Sequence, residues 1–189
     1  MLNDNKFRKD IISKREAYFN ETSDKTGPTI DVKSYAFTND KIVKYAKELI
    51  KRLKARSVML YLPMKGETDI TGITELPLSF YVPVTHGVEI MPALYSSDTV
   101  LTKGVFGVSV PENPIYADKS TIDLVLVPAV AVDRKKNRMG YGKGCYDRFL
   151  ADMNCIKAAV CFDFQVVNGL KPEPHDVRMD YIITESGCI

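Results

Sequence analysis

Tryptophan is absent from the 189 residues, histidine occurs twice and cysteine four times. Cys145, Cys155, Cys161 and Cys188 form no CxxC pair and have no histidine at metal-ligand spacing, so they read as reduced thiols, not as a zinc site or a disulfide framework. No stretch reaches the roughly eighteen apolar residues that a membrane span needs. The opening residues, MLNDNKFRKD, lack the apolar centre of a leader peptide, and a cytoplasmic location is expected. An excess of one charge is also lacking: 26 Lys and Arg stand against 24 Asp and Glu, a net +2 too near balance to argue for a nucleic-acid or membrane surface. The basic surplus is local, with 14 Lys and Arg against 8 acids over residues 1–60. Acids interleave with these bases, as on solvated helix faces.

What remains is 45% hydrophobic, 26% charged and 10% aromatic, the composition of a globular domain and not of a disordered or fibrous chain. A chain of this length can bury roughly 70% of its unfolded surface and needs no disulfide or structural metal. Apolar residues at Phe7, Ile11, Ile12 and Tyr18 predict a helix over Asp4–Phe19, with Arg8 and Arg15 near one another on a face. Residues Asn20–Ser34 are rich in Thr, Asp, Lys and Gly-Pro and predict a loop. Thr38 or Asn39 is the expected cap of a second helix with the stripe Ile42, Val43, Ala46, Leu49, Ile50 and Leu53. Strands are expected at Ser57–Leu62, Ser79–Val84, Glu89–Leu94, Leu124–Val127, Ala158–Phe162 and Tyr181–Thr184, several of them apolar throughout as in a sheet covered on both faces. With a helix over Cys145–Met153 between two of them, the pattern is α/β, a mainly parallel sheet between helices.

The densest run of special residues is Arg138-Met-Gly-Tyr-Gly-Lys-Gly-Cys-Tyr-Asp-Arg148, after a strand and opening onto a helix. Gly140, Gly142 and Gly144 allow tight turns and close backbone approach, and Lys143 among them favours phosphate. The spacing is not that of a P-loop, which needs four residues between its first glycine and Gly-Lys-Ser/Thr. A dinucleotide fingerprint is disfavoured as well, because Cys145 stands where the third glycine belongs. A tight turn without a ligand would explain the glycines but not the lysine. On residue type alone, Glu67 is a loop carboxylate, Leu62 and Phe106 are core residues, Asp147 complements a helix dipole and His86 sits in a turn.

Leu126-Val-Pro-Ala-Val-Ala-Val-Asp133 followed by Asn137 to Phe149 resembles the signature of the 5-formyltetrahydrofolate cyclo-ligase family. Leu60-Tyr-Leu-Pro-Met-Lys-Gly-Glu67, Leu101–Pro111 with Phe106-Gly107-Val108, and His175-Asp176 through Thr184 extend the resemblance over nearly the whole chain. The resemblance implies a single three-layer α/β domain over residues 1–189, similar to the NagB/RpiA/CoA-transferase-like fold. It implies ATP-dependent closure of 5-formyltetrahydrofolate to 5,10-methenyltetrahydrofolate, with ADP and phosphate released and Mg²⁺ required. Carried over by position, Arg8 and Arg138, Met139, Gly140, Tyr141, Gly142, Lys143, Gly144, Cys145 and Tyr146 contact the nucleotide, with Lys143 and Arg138 acting on the transferred phosphoryl group. Leu62, Glu67, Phe106 and the loop Tyr141–Cys145 contact the folate, and Asp147 and Asp176 hold Mg²⁺. A monomer acting on small molecules, the folate with or without a polyglutamate tail, is implied. Three readings remain open beside it. A phosphosugar isomerase or CoA-transferase relative would bind phosphate without turning over ATP, and a nonenzymatic nucleotide-binding module would bind Mg-ATP and stop there. A nucleic-acid binder would use the basic N-terminal helices.

Overall fold

The computed structural model describes residues 5–23 and 32–189, without the side chains of residues 21–23, 32–34 and Phe106. Two helices come first, α1 (Asn5–Ser23) and α2 (Val32–Leu53). Strands β1 (Ser57–Met59), β2 (Ser79–His86) and β3 (Glu89–Tyr95) follow, then a hairpin of β4 (Leu101–Lys103) and β5 (Ser109–Pro111). Next come β6 (Leu124–Pro128), β7 (Ala131–Asp133), β8 (Arg138–Met139) and α3 (Cys145–Leu150). The chain closes with β9 (Ile156–Val160), β10 (Val166–Val167), β11 (Tyr181–Thr184) and β12 (Gly187–Cys188).

Seven strands form the central sheet in the order β12-β11-β9-β6-β1-β2-β3. Its inner five are parallel, and the antiparallel strands β12 and β3 close the two edges. Alternation along each strand loads both faces. Leu124 and Leu126 of β6 pack on one side with Val58, Val160 and the α2 residues Ile42, Ala46, Leu49 and Ile50. Val125 and Val127 pack on the other with Met59, Ile182 and the α3 residues Phe149 and Leu150. The result is the three-layer, mainly parallel α/β domain expected. A third cluster, Ile11 with Val130, Ala131 and Met139, seats α1 on the small sheet of β10, β7 and β8.

Several boundaries differ from the sequence reading. Both ends of the loop expected over Asn20–Ser34 are helical, since α1 continues to Ser23 and α2 begins at Val32; residues 24–31 lie outside the described residues. Polar residues disfavour a helix only weakly, and tertiary contacts override them. Tyr18 packs on Phe162 with ring centroids 5.1 Å apart, and Phe19 meets Tyr35 at 5.2 Å. Thr38 and Asn39 therefore sit inside α2 and cap nothing. Tyr18 Oη and Thr38 Oγ1 share a hydrogen bond, while Asn39 Nδ2 donates to Tyr35 O and Asn39 Oδ1 accepts from Asp69 N. At its far end α2 stops where Lys54 takes φ 55° and Ala55 N donates to Ile50 O, a Schellman closure without glycine. The first strand ends at Met59, because after Leu60 N donates to Tyr81 O the chain leaves the sheet toward Glu67. Helix α3 ends at Leu150, three residues early, in a turn closed by Met153 N to Leu150 O.

Candidate active site

The glycine run leaves β8 and crosses the ends of the parallel strands before entering α3. Gly142 (φ 88°) and Gly144 (φ 63°) turn in the left-handed region that side chains avoid. Gly140 is small for a different reason, since a Cβ there would lie 2.7 Å from Arg138 Nη1. Helix α1 holds the outside of the loop. Arg8 Nε donates to Gly140 O at 3.0 Å, and its guanidinium lies against Gly142, where a Cβ would stand 3.4 Å away.

Arg138 is buried, and its Nη2 donates to both carboxylate oxygens of Asp147, at 3.2 and 3.0 Å. The guanidinium also lies 5.6 Å from the centre of the Tyr146 ring. Asp147 Oδ1 accepts in addition from Val177 N at 3.2 Å, which joins α3 to the segment carrying Asp176. Arg138 Nε and Tyr146 Oη are buried without a hydrogen-bond partner among the described residues, in side chains that line the cavity. Burial pushes the Tyr146 hydroxyl up, the charge of Glu67 adds to the shift, and Arg138 opposes it.

A second network closes the opposite side. Glu67 is 4% exposed and follows Gly66, whose φ of 79° turns the chain beside Arg15. Its Oε2 accepts from Met64 N at 2.9 Å, and its Oε1 accepts from the Tyr141 hydroxyl at 2.9 Å. Arg15, 3% exposed, lies with Nη1 3.7 Å from Glu67 Oε1, and its Nη2 donates to the Tyr141 hydroxyl. Burial raises the Glu67 carboxyl, although Arg15, the Met64 amide and the Tyr141 hydroxyl all pull it down. The Tyr141 hydroxyl is pushed up by burial and by Glu67 against the pull of Arg15. Arg8 and Arg15, two helical turns apart on α1, thus hold the Gly140-Tyr141-Gly142 segment at its glycine backbone and at its tyrosine hydroxyl.

Arg138, Tyr146 and Asp147 of the first network and Met64, Glu67 and Tyr141 of the second line one cavity of about 540 Å³ at the carboxyl ends of β1, β2 and β6, where open parallel sheets bind ligands. The family model for 5-formyltetrahydrofolate cyclo-ligases matches residues 2–185. The chain belongs to the 5-formyltetrahydrofolate cyclo-ligase family. The 5-formyltetrahydrofolate cyclo-ligase of Mycolicibacterium smegmatis is 31% identical over 148 residues, 70% of this chain and 75% of that protein. That of Mycoplasma pneumoniae is 25% identical over 186 residues, 97% of this chain and 99% of its own. The NMR structure of Aquifex aeolicus 5,10-methenyltetrahydrofolate synthetase matches with a TM-score of 0.75 at 28% identity, covering 96% of this chain and 89% of that one.

Among the described side chains, all the nucleotide, folate and metal candidates named from the cyclo-ligase resemblance line this cavity. The backbone of Phe106 lies in a 3-10 turn, Val105–Gly107, and its side chain is outside the described residues. Sequence reasoning missed the wall opposite the glycine loop, where Pro83, Thr85 and Ile90 from β2 and β3 meet Val105, Val108 and Val110 of the β4–β5 hairpin. Nothing in their residue types marks a site. Arg15 was visible only as a neighbour of Arg8, and its partners lie 52 and 126 residues away. Asp147 and Asp176 supply hard carboxylate oxygens, and Asp176 Oδ2 accepts from Glu173 N at 2.7 Å. Among the described residues no three potential metal ligands converge. This donor set suits a Mg²⁺ ion that keeps water and phosphate oxygens in its shell, and does not suit an ion caged by protein.

Proposed function

We propose that this chain is an ATP-dependent ligase that closes 5-formyltetrahydrofolate to 5,10-methenyltetrahydrofolate, releasing ADP and phosphate. The observation that carries the reading is the convergence on one cavity of a glycine loop bearing Lys143 with a buried, hydrogen-bonded Glu67, inside a fold that belongs to the cyclo-ligase family. The loop supplies a phosphate end and Glu67 an acceptor for the N–H edge of a pterin. Arg8, Arg138 and residues 139–146 would hold the nucleotide, and Leu62, Glu67 and Phe106, with Tyr141–Cys145, the folate.

A formamide carbon is a poor electrophile. In the proposed reaction the formyl oxygen bonds to the γ-phosphorus as ADP leaves. The neighbouring folate nitrogen then bonds to the formyl carbon and loses its proton, and phosphate departs with the electrons of the C–O bond. Nucleophile and electrophile belong to one molecule, so the protein has only to position them and to neutralise charge. Lys143 brings its ammonium to the phosphoryl group, with Arg138 held in place by Asp147. Asp147 and Asp176 would hold Mg²⁺, which when bound offsets charge on the phosphate oxygens. Within this proposal the enzyme acts in the cytoplasm as a monomer on small molecules, without nucleic acid or membrane; the near-balanced net charge of +2 offers no strongly basic surface for either of the last two.

ADP release is measured with Mg-ATP in the presence and absence of 5-formyltetrahydrofolate, while methenyl-folate absorbance is followed in the same cuvette. Matched, folate-dependent formation of both products is the expected result. Phosphate or nucleotide binding without either product would overturn the reading.

A further inference from the structure

The reading of Glu67 as the pterin acceptor leaves one contact unexplained, and the inference below rests on that reading. Both oxygens of the Glu67 carboxylate already accept a hydrogen bond from within the protein. The Met64 amide on Oε2 belongs to the same tight turn, since Glu67 N donates back to Met64 O at 2.9 Å, and it cannot withdraw without unfolding that turn. Arg15 is buried under the loop. The Tyr141 hydroxyl on Oε1 is different in kind, because it is carried by a loop from another part of the chain and its residue is 39% exposed. Glu67 lines the cavity but is only 4% exposed, so a ligand's N–H donors would compete with this hydroxyl for Oε1.

We propose that Tyr141 is an internal competitor of the pterin: its hydroxyl occupies Glu67 Oε1 in the free enzyme, Arg15 positions the two side chains on each other, and folate binding displaces the hydroxyl. The glycines on either side of Tyr141 provide the hinge, with Gly142 already in the left-handed region. On displacement the loop keeps its other anchor, the Arg8 contact to Gly140 O. The same movement takes the hydroxyl off Glu67 and shifts the segment that also bears Lys143. Binding of one substrate is in this way tied to the conformation of the loop that receives the other. Arg15 touches neither substrate in this scheme and is a positioning residue.

The competitor and a direct substrate contact predict opposite signs. Affinity for 5-formyltetrahydrofolate is measured by calorimetry without nucleotide for the wild type, Tyr141→Phe and Glu67→Gln, with thermal melting as the folding control. Phenylalanine keeps the ring and deletes only the donor. Tyr141→Phe is expected to bind the folate about tenfold tighter, the gain from no longer breaking a charge-assisted hydrogen bond. Arg15→Lys, which keeps the charge but loses the planar fork, is expected to shift affinity in the same direction and by less. Unchanged or weaker binding by Tyr141→Phe would overturn the proposal and make the hydroxyl a bystander or a substrate contact. Glu67→Gln is expected to weaken binding. If it binds like the wild type, the placement of the pterin on Glu67 is what has failed, and the competitor falls with it.

Discussion

Arg138 and Asp147 stand nine residues apart and form a buried pair in which one guanidinium nitrogen reaches both carboxylate oxygens, at 3.2 and 3.0 Å. The strand-to-helix turn that places them together is the glycine loop itself, so the loop's shape and the pair's geometry depend on each other. Removing one partner leaves the other charge buried. Arg138→Met is expected to cost about 3 kcal/mol in urea unfolding, whereas the double variant with Asp147→Leu recovers much of that loss. Equal destabilisation by the single and double variants would show that the pair is not the source.

Gly140 tests the same relationship from the backbone. A methyl group there would meet Arg138 Nη1 at 2.7 Å, and its φ is not in the left-handed region, so the effect is steric and not conformational. Gly140→Ala is expected to push the guanidinium off Asp147 and to lower kcat/KM for Mg-ATP at least tenfold, about 1.4 kcal/mol. Unaltered kinetics would mean that Arg138 plays no part in nucleotide use.

Lys143 is exposed at the cavity, and its side chain contributes nothing to the three hydrophobic clusters. Lys143→Ala is expected to reduce turnover by about a hundredfold or more while the melting temperature stays within a degree or two of the wild type. Full activity in that variant would move the phosphates away from the loop.

Asp176→Asn and Asp147→Asn address the metal. Both are expected to raise the Mg²⁺ concentration needed for half-maximal rate, and Asp147→Asn should also lower stability because it breaks the Arg138 pair. Mg²⁺ titrations of initial rate, with melting curves alongside, separate the two effects. An unchanged Mg²⁺ requirement in Asp176→Asn would remove that residue from the metal site.

Glu67 gives a pH signature. Burial raises its carboxyl above the ordinary value of 4.5, so in the interval between 4.5 and the higher folded value the folded state binds more proton than the unfolded chain. Its contribution to stability is full below 4.5 and is lost as pH rises through the higher folded value. Asp123 and Asp133 slope the other way: burial raises them, but backbone amides and the Ser57 and Asn137 side chains outweigh it, so their contribution is lost as pH falls. The difference in melting temperature between Glu67→Gln and the wild type isolates Glu67 and is expected to rise with pH from about 4.5 upward. A falling difference would mean that the pull of Arg15 outweighs burial.

Much of the fold was legible in the residues. Leu124 and Leu126 alternate with Val125 and Val127 because β6 is covered on both faces, and the stripe from Ile42 to Leu53 marks the helix that covers one of them. Element ends were not legible: α2 starts at Val32, ahead of Thr38 and Asn39, because contacts to Tyr18 and Asp69 use those polar side chains elsewhere. The glycine loop could be read because left-handed turns and phosphate binding restrict residue type locally. The cavity wall of Pro83, Thr85, Ile90 and Val110 could not, since these residue types occur in any strand or hairpin.

Local chemistry is what the amino-acid order determined on its own: the alternation that makes a two-faced parallel sheet, and a lysine among glycines where a phosphate would lie. Tertiary structure decided which distant groups share a proton or a charge. Glu67, Arg15 and Tyr141 are scattered over 127 residues of chain and become one network only when α1, the turn after β1 and the glycine loop meet over the sheet. Hydrogen bonds and burial act over a few ångströms of space and carry no trace in sequence spacing, which is why Glu67 reads as a loop acid and folds into a sealed one.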